Sequence, residues 1–139
     1  METTWISIGS FVVSIVAIVI SVIALCVKKK QYLSNIRPEL FLENCISILT
    51  KNQVNLVIGN RSENTAIVKN MIPHGKNISL RKPFHRYELT NKNNLTIECD
   101  YHGQSMFGDK FKLKINYTDR EGNAYTAFLY VNEKGSWIE

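Results

Sequence analysis

The densest run of side chains able to do chemistry is Leu80-Arg81-Lys82-Pro83-Phe84-His85-Arg86-Tyr87. It packs three fixed positive charges, an imidazole and two aromatic rings into eight residues. Cations beside rings suit phosphate or carboxylate ligands, the charges giving attraction and the rings a stacking surface. A second basic set, Lys110, Lys112 and Lys114, alternates along a strand-like segment and so leaves one face of it. Arg81, Lys82, His85, Arg86, Lys110, Lys112 and Lys114 are therefore the candidate anion-binding residues. The ligand would be a nucleotide, RNA or an anionic lipid headgroup. For the lysine row a plainer role is favoured, because outward lysines keep a sheet edge from pairing with other chains.

Metal and nucleophile chemistry find less support. Cys99-Asp100-Tyr101-His102 offers half a zinc site that His74 or His85 would have to complete, and no second close-spaced pair exists. Cys45 and Cys99 sit in strand-like runs, the serines lack a Gly-x-Ser-x-Gly elbow, and no phosphate-cradling glycine loop precedes a Lys-Ser/Thr. No catalytic residue, metal or cofactor is expected, and an enzyme is disfavoured. The loop Tyr101 to Asp109, with Met106 and Phe107 between glycines, reads as a contact loop for a partner or lipid, or as a lid over the domain.

What positions these groups begins with the stretch Trp5 to Val27, which carries no charge and no proline. As a helix rising about 1.5 Å per residue it reaches roughly 35 Å, enough to cross a bilayer core of about 30 Å. A signal peptide would place positive charge before a shorter apolar core, whereas here Glu2 precedes and Lys28-Lys29-Lys30 follows. The excess of Lys and Arg after the span predicts a short N-terminus (1–4) outside and the C-terminal domain in the cytoplasm. Trp5 and Tyr32 fit the outer and inner interfaces of a cell membrane whose inner leaflet is anionic.

Ser7, Ser10, Ser14, Ala17, Ser21 and Ala24 are spaced 3, 4, 3, 4, 3, and only Gly9 among the small residues of the span falls outside the series. That alternation is a heptad seam, which lets helix backbones approach closely in lipid and predicts a homo-oligomer. The alternative is serine tolerated singly, each hydroxyl bonded back to its own helix.

Lys28 to Lys30 hold three of the 17 basic residues and Glu2 one of the 12 acids, leaving 14 and 11 over residues 31–139. The apparent basicity is mostly a topology signal, which makes a nucleic-acid partner unlikely. Three cysteines without framework spacing read as free thiols, with a Cys45–Cys99 disulfide left open. The Asn-x-Ser/Thr sequons at Asn60, Asn77, Asn94 and Asn116 are expected by chance in so polar a chain.

After a basic juxtamembrane tether (28–38), in which Pro38 ends any helix, the pattern turns to period two. Leu40, Leu42, Ile46 and Ile48 share one parity, with a bend expected at Asn44. Val54 to Ile58, Ala66 to Pro73, Leu95 to Cys99, Phe111 to Tyr117 and Tyr125 to Val131 repeat the alternation. The last two form a hairpin in which Gly122 takes positive φ. The expected fold is one N-terminal transmembrane α-helix followed by a mainly-β domain (39–139), an antiparallel β-sandwich or small barrel.

Asn35-Ile-Arg37-Pro38-Glu-Leu40, Leu56-Val-Ile58-Gly-Asn60 and Tyr117-Thr-Asp119-Arg-Glu-Gly122-Asn-Ala-Tyr125 carry a resemblance. Behind one membrane helix and a lysine cluster, they resemble the small single-pass bacterial membrane proteins with an immunoglobulin-like β domain. The resemblance covers most of the chain, implies a fold, and transfers no catalytic residue. The expected function is a membrane-anchored binding or assembly module with a possible protein partner. The alternative is a membrane effector whose β domain senses an anionic ligand, by analogy with bacterial phage defence.

Overall fold

The computed structural model describes residues 2–102, 111–132 and 135–139. One unit is the helix α1 (Glu2–Ile36) and the other a β domain that begins at Arg37. The helix runs through Lys28 to Lys30 and ends two residues before Pro38, the first residue able to break it. It is long and apolar enough to cross a membrane, with a mean hydropathy of 3.0 in its most apolar window.

The β domain holds nine strands among the described residues: β1 (Leu40–Ile48), β2 (Gln53–Asn60), β3 (Ala66–His74), β4 (Ile78–Leu80), β5 (Tyr87–Leu89), β6 (Leu95–Tyr101), β7 (Phe111–Thr118), β8 (Ala124–Asn132) and β9 (Gly135–Ile138). They form two sheets, ordered β1-β2-β6-β4 and β5-β3-β7-β8-β9, and every pairing is antiparallel. The predicted mainly-β architecture, sandwich or small barrel, is thus the one present. The short strands β4, β5 and β9 have no periodic signal in the sequence, since three or four residues show no period.

Alternation builds the core. On β7 the inward Phe111, Leu113, Ile115 and Tyr117 are buried while Lys112, Lys114 and Asn116 look outward. Val54, Leu56 and Ile58 on β2, Leu95, Ile97 and Cys99 on β6, and Ala127, Leu129 and Val131 on β8 complete the packing between the sheets. One pair of sheet edges is drawn together where β1 meets β9, with the Cys45 thiol and Ser136 hydroxyl hydrogen-bonded.

The parity expected on β1 holds only for its first half. A bulge between Leu42 and Asn44 inserts one unpaired residue, so that Leu42 faces Ile58 but Cys45 faces Leu56. The bend expected at Asn44 is this bulge. Its consequence reverses the side-chain assignment: Cys45 packs on the core, whereas Ile46 is 46% exposed.

Two local devices fix connections between strands. The β7–β8 hairpin turns at Gly122 with φ +88°, as expected, and Asn123 N–H donates to Asp119 Oδ1 at 2.9 Å. Asn60, 4% exposed, fixes the passage from β2 to β3. Its Nδ2 donates to the carbonyls of Asn64 (2.7 Å) and Leu89 (3.1 Å), and its Oδ1 accepts from the Ser62 amide and hydroxyl. The buried Asn60 amide is therefore committed to structure, in line with reading that sequon as chance.

Candidate functional site

The basic segment flagged by the sequence bridges the edges of the two sheets. β4 ends the first sheet at Leu80 and β5 starts the edge of the second at Tyr87, so residues 81–86 form a strap between them. Two bonds fasten it. Arg81 N–H donates to the Glu98 carbonyl at 3.0 Å, and Tyr87 OH donates to the Asn94 carbonyl at 3.1 Å. Beneath the strap opens a cleft of about 250 Å³. Leu80, Pro83, Phe84, Leu95 and Ile97 give it apolar walls; Lys82, His85, Thr96 and Glu98 bring the polar atoms.

Of the four strap residues expected to bind an anion, Lys82 and His85 line this cleft and Arg81 and Arg86 do not. Lys82 Nζ lies 3.8 Å from Glu98 Oε2, and Arg86 Nη2 lies 3.5 Å from Glu88 Oε1. All four side chains are well exposed, so these pairs are weak. They nevertheless neutralise two of the three fixed charges, and the cleft is an apolar hollow with a mixed rim rather than a basic pocket.

The lysine row lies elsewhere, on the outer face of the second sheet. Lys112 is in register with His74 on one side and Tyr130 on the other, and Tyr130 with Trp137. The Lys112 ammonium sits 3.9 Å from the centre of the Phe128 ring and 5.2 Å from that of Tyr130, while Tyr130 stacks on Trp137 at 5.4 Å. Its cation is directed at ring faces, an arrangement worth about 0.5–1 kcal/mol at an exposed site. Lys114 pairs across to Phe128 and Ile72. Lys110 and the expected contact loop with Met106 and Phe107 lie outside the described residues.

The other candidates do not converge. Cys99 is fully buried in the core, whereas His102 is exposed and shares a 3.4 Å hydrogen bond with Ser79 Oγ. Among the described residues no three His, Cys, Asp or Glu side chains gather as metal ligands. All three cysteines are free, which closes the question left open for Cys45 and Cys99. Burial pushes the Cys45 thiol up from its ordinary value. It pushes Cys99 to about 12, with the charges of Asp100 and Cys45 adding to it, so neither is an activated nucleophile.

On the helix, Ser10 Oγ donates to the Ser7 carbonyl at 3.0 Å, Ser14 Oγ to Ser10 at 2.8 Å and Ser21 Oγ to Ala17 at 2.8 Å. These hydroxyls are satisfied within their own helix, as the simpler account of the serines expects. Trp5 and Tyr32, the expected interface residues, are both exposed.

Sequence reasoning missed a polar cluster where the chain enters the β domain. Asp119 accepts from Asn123 Nδ2 (2.8 Å) and Tyr125 OH (3.1 Å), and Tyr125 stacks on Tyr117. Tyr117 OH donates to the Pro38 carbonyl at 3.2 Å and accepts from Arg37 Nε at 3.3 Å. The turn was legible, but contacts spanning about 80 residues leave no local pattern. No protein-family model and no curated protein matches the chain.

Proposed function

We propose that this protein is a single-pass membrane-anchored binding and assembly module without enzymatic activity. Its N-terminus lies outside, its β domain in the cytoplasm, and its helices associate with one another. The observation that carries this reading is the helix. Its apolar window is wholly unburied by the rest of the chain, with Trp5 74% and Phe11 67% exposed. In water such a surface is strongly unfavourable, and a bilayer or a second helix removes that cost. Lys28 to Lys30, in the helix just after its apolar stretch, favour a retained span over a cleaved leader and the proposed orientation.

The sensor alternative draws less support for a polyanionic ligand such as a nucleotide, because among the described residues the cleft beneath the strap offers one lysine, paired with Glu98, and one histidine. The test is self-association of the intact chain in a membrane reporter. The double change Ser14→Leu and Ser21→Leu is expected to reduce it several-fold, since the bulkier side chains separate the backbones. Unchanged association would remove assembly through this seam.

A further inference from the structure

We infer that the cleft beneath residues 81–86 binds a small amphiphilic anion, a body of about one aromatic ring carrying a single carboxylate or phosphate. Lys82 takes the anionic group in place of Glu98. The inference deepens the reading of the β domain as a binding module and rests on it.

Size sets the apolar part. An apolar cavity of about 150 Å³ accepts benzene, and this cleft offers about 250 Å³. It falls short of the roughly 300–1,000 Å³ of sites for larger ligands and cofactors. A ring with a short substituent fills this volume, and a whole nucleotide would project beyond it. Leu80, Phe84, Leu95 and Ile97 are among the lining residues, so an apolar body has carbon to pack against.

Charge sets the polar part. The strap carries Arg81, Lys82 and Arg86, while the carboxylates paired with it are Glu98 and Glu88. Of these cations only Lys82 lines the cleft, and His85 beside it adds another polar group. The Lys82–Glu98 contact is long, with Lys82 78% exposed, so Glu98 holds the ammonium only weakly against a competing carboxylate. Backbone bonding of Arg81 to Glu98 and of the Tyr87 hydroxyl to Asn94 holds the strap in place, so binding orders little that was loose.

The test uses the full chain in lipid nanodiscs with methyl-labelled Leu and Ile, titrated with phenylacetate, its neutral amide phenylacetamide, or inorganic phosphate. Phenylacetate is expected to shift the Leu80, Leu95 and Ile97 methyls saturably, and the amide to bind roughly tenfold more weakly. Phosphate alone should leave those methyls unmoved. Lys82→Gln, at an exposed position, should erase the preference for the acid over the amide. The inference is overturned if millimolar phenylacetate moves none of the three methyls, if acid and amide bind equally, if phosphate produces the same shifts, or if Lys82→Gln keeps the preference. Ser14→Leu with Ser21→Leu should not alter this titration, so loss of helix association and loss of cleft binding are read separately.

Discussion

Asp119 keeps its charge although only 4% of its surface is exposed. Burial alone would raise its pKa, but the Asn123 side chain and amide, the Tyr125 hydroxyl and the Glu121 backbone outweigh that and hold it below the ordinary 3.8. Because the folded form releases the proton more readily than the unfolded one, this stability is present above about pH 3.8 and is lost as pH falls through the lower folded value. Tyr125 moves the other way, raised above 10.0 by burial and by Asp119, so its contribution fades as pH climbs past 10.0. Replacing Asp119 by Ala is expected to cost about 1–3 kcal/mol by leaving donors unpaired, and to flatten the acid limb of the stability curve. Chemical denaturation of the intact chain at neutral and acid pH measures both. Asn60→Ala should cost a similar amount, for the same reason and with no dependence on pH. The cluster shows where sequence reading stops at this scale: Asp119 to Asn123 announces a turn, while the tie of Tyr117 to Pro38 needs the folded chain.

Among the elements, β1 separates what a pattern can say from what it cannot. The alternation of Leu40 and Leu42 was legible, and the polar Glu43-Asn44 pair hinted at a bend. Parity after a bulge depends on pairing with β2, which a single strand does not encode. The bulge makes a sharp prediction. Ile46→Lys should change stability by no more than about 0.5 kcal/mol. Cys45→Lys should unfold the β domain in thermal melts, because its charge would enter the core. The unbulged parity would give the opposite result. Neighbouring Gly59 offers a second check, since a Cβ there would come within 2.6 Å of the Phe41 ring, itself capped by Arg61 at 4.7 Å. Gly59→Val is expected to displace Phe41 and lower the melting temperature, measured with Phe41→Ala as the control. If the two variants are additive, the ring does not lie against Gly59. The strap and its cleft were only half legible. The charges stood out in the sequence, whereas the apolar floor comes from β6, whose inward residues read simply as core.

For the molecule as a whole, the division into one apolar helix and one β domain could be read directly, because each follows from a long, regular pattern. The orientation rests on Lys28 to Lys30 and has its own test. Cys99 is buried, burial raises the pKa of Cys45, and Cys26 is replaced by Ser, so a cysteine introduced as Glu139→Cys becomes the reporter at the C-terminal end. A membrane-impermeant maleimide applied to intact cells should leave it unlabelled, and lysis should expose it. Labelling before lysis would reverse the topology.

The stretch of chain that connects the two units is short. The helix extends to Ile36, and by Pro38 the chain is already buried in the β domain, its carbonyl held by Tyr117. Helices that pair in the bilayer would therefore hold their β domains at an effective concentration in the millimolar range, as short tethers do. A contact between two such domains too feeble to survive dilution would then be occupied most of the time. Lengthening the junction with a flexible Gly-Ser insert would weaken it without touching either surface.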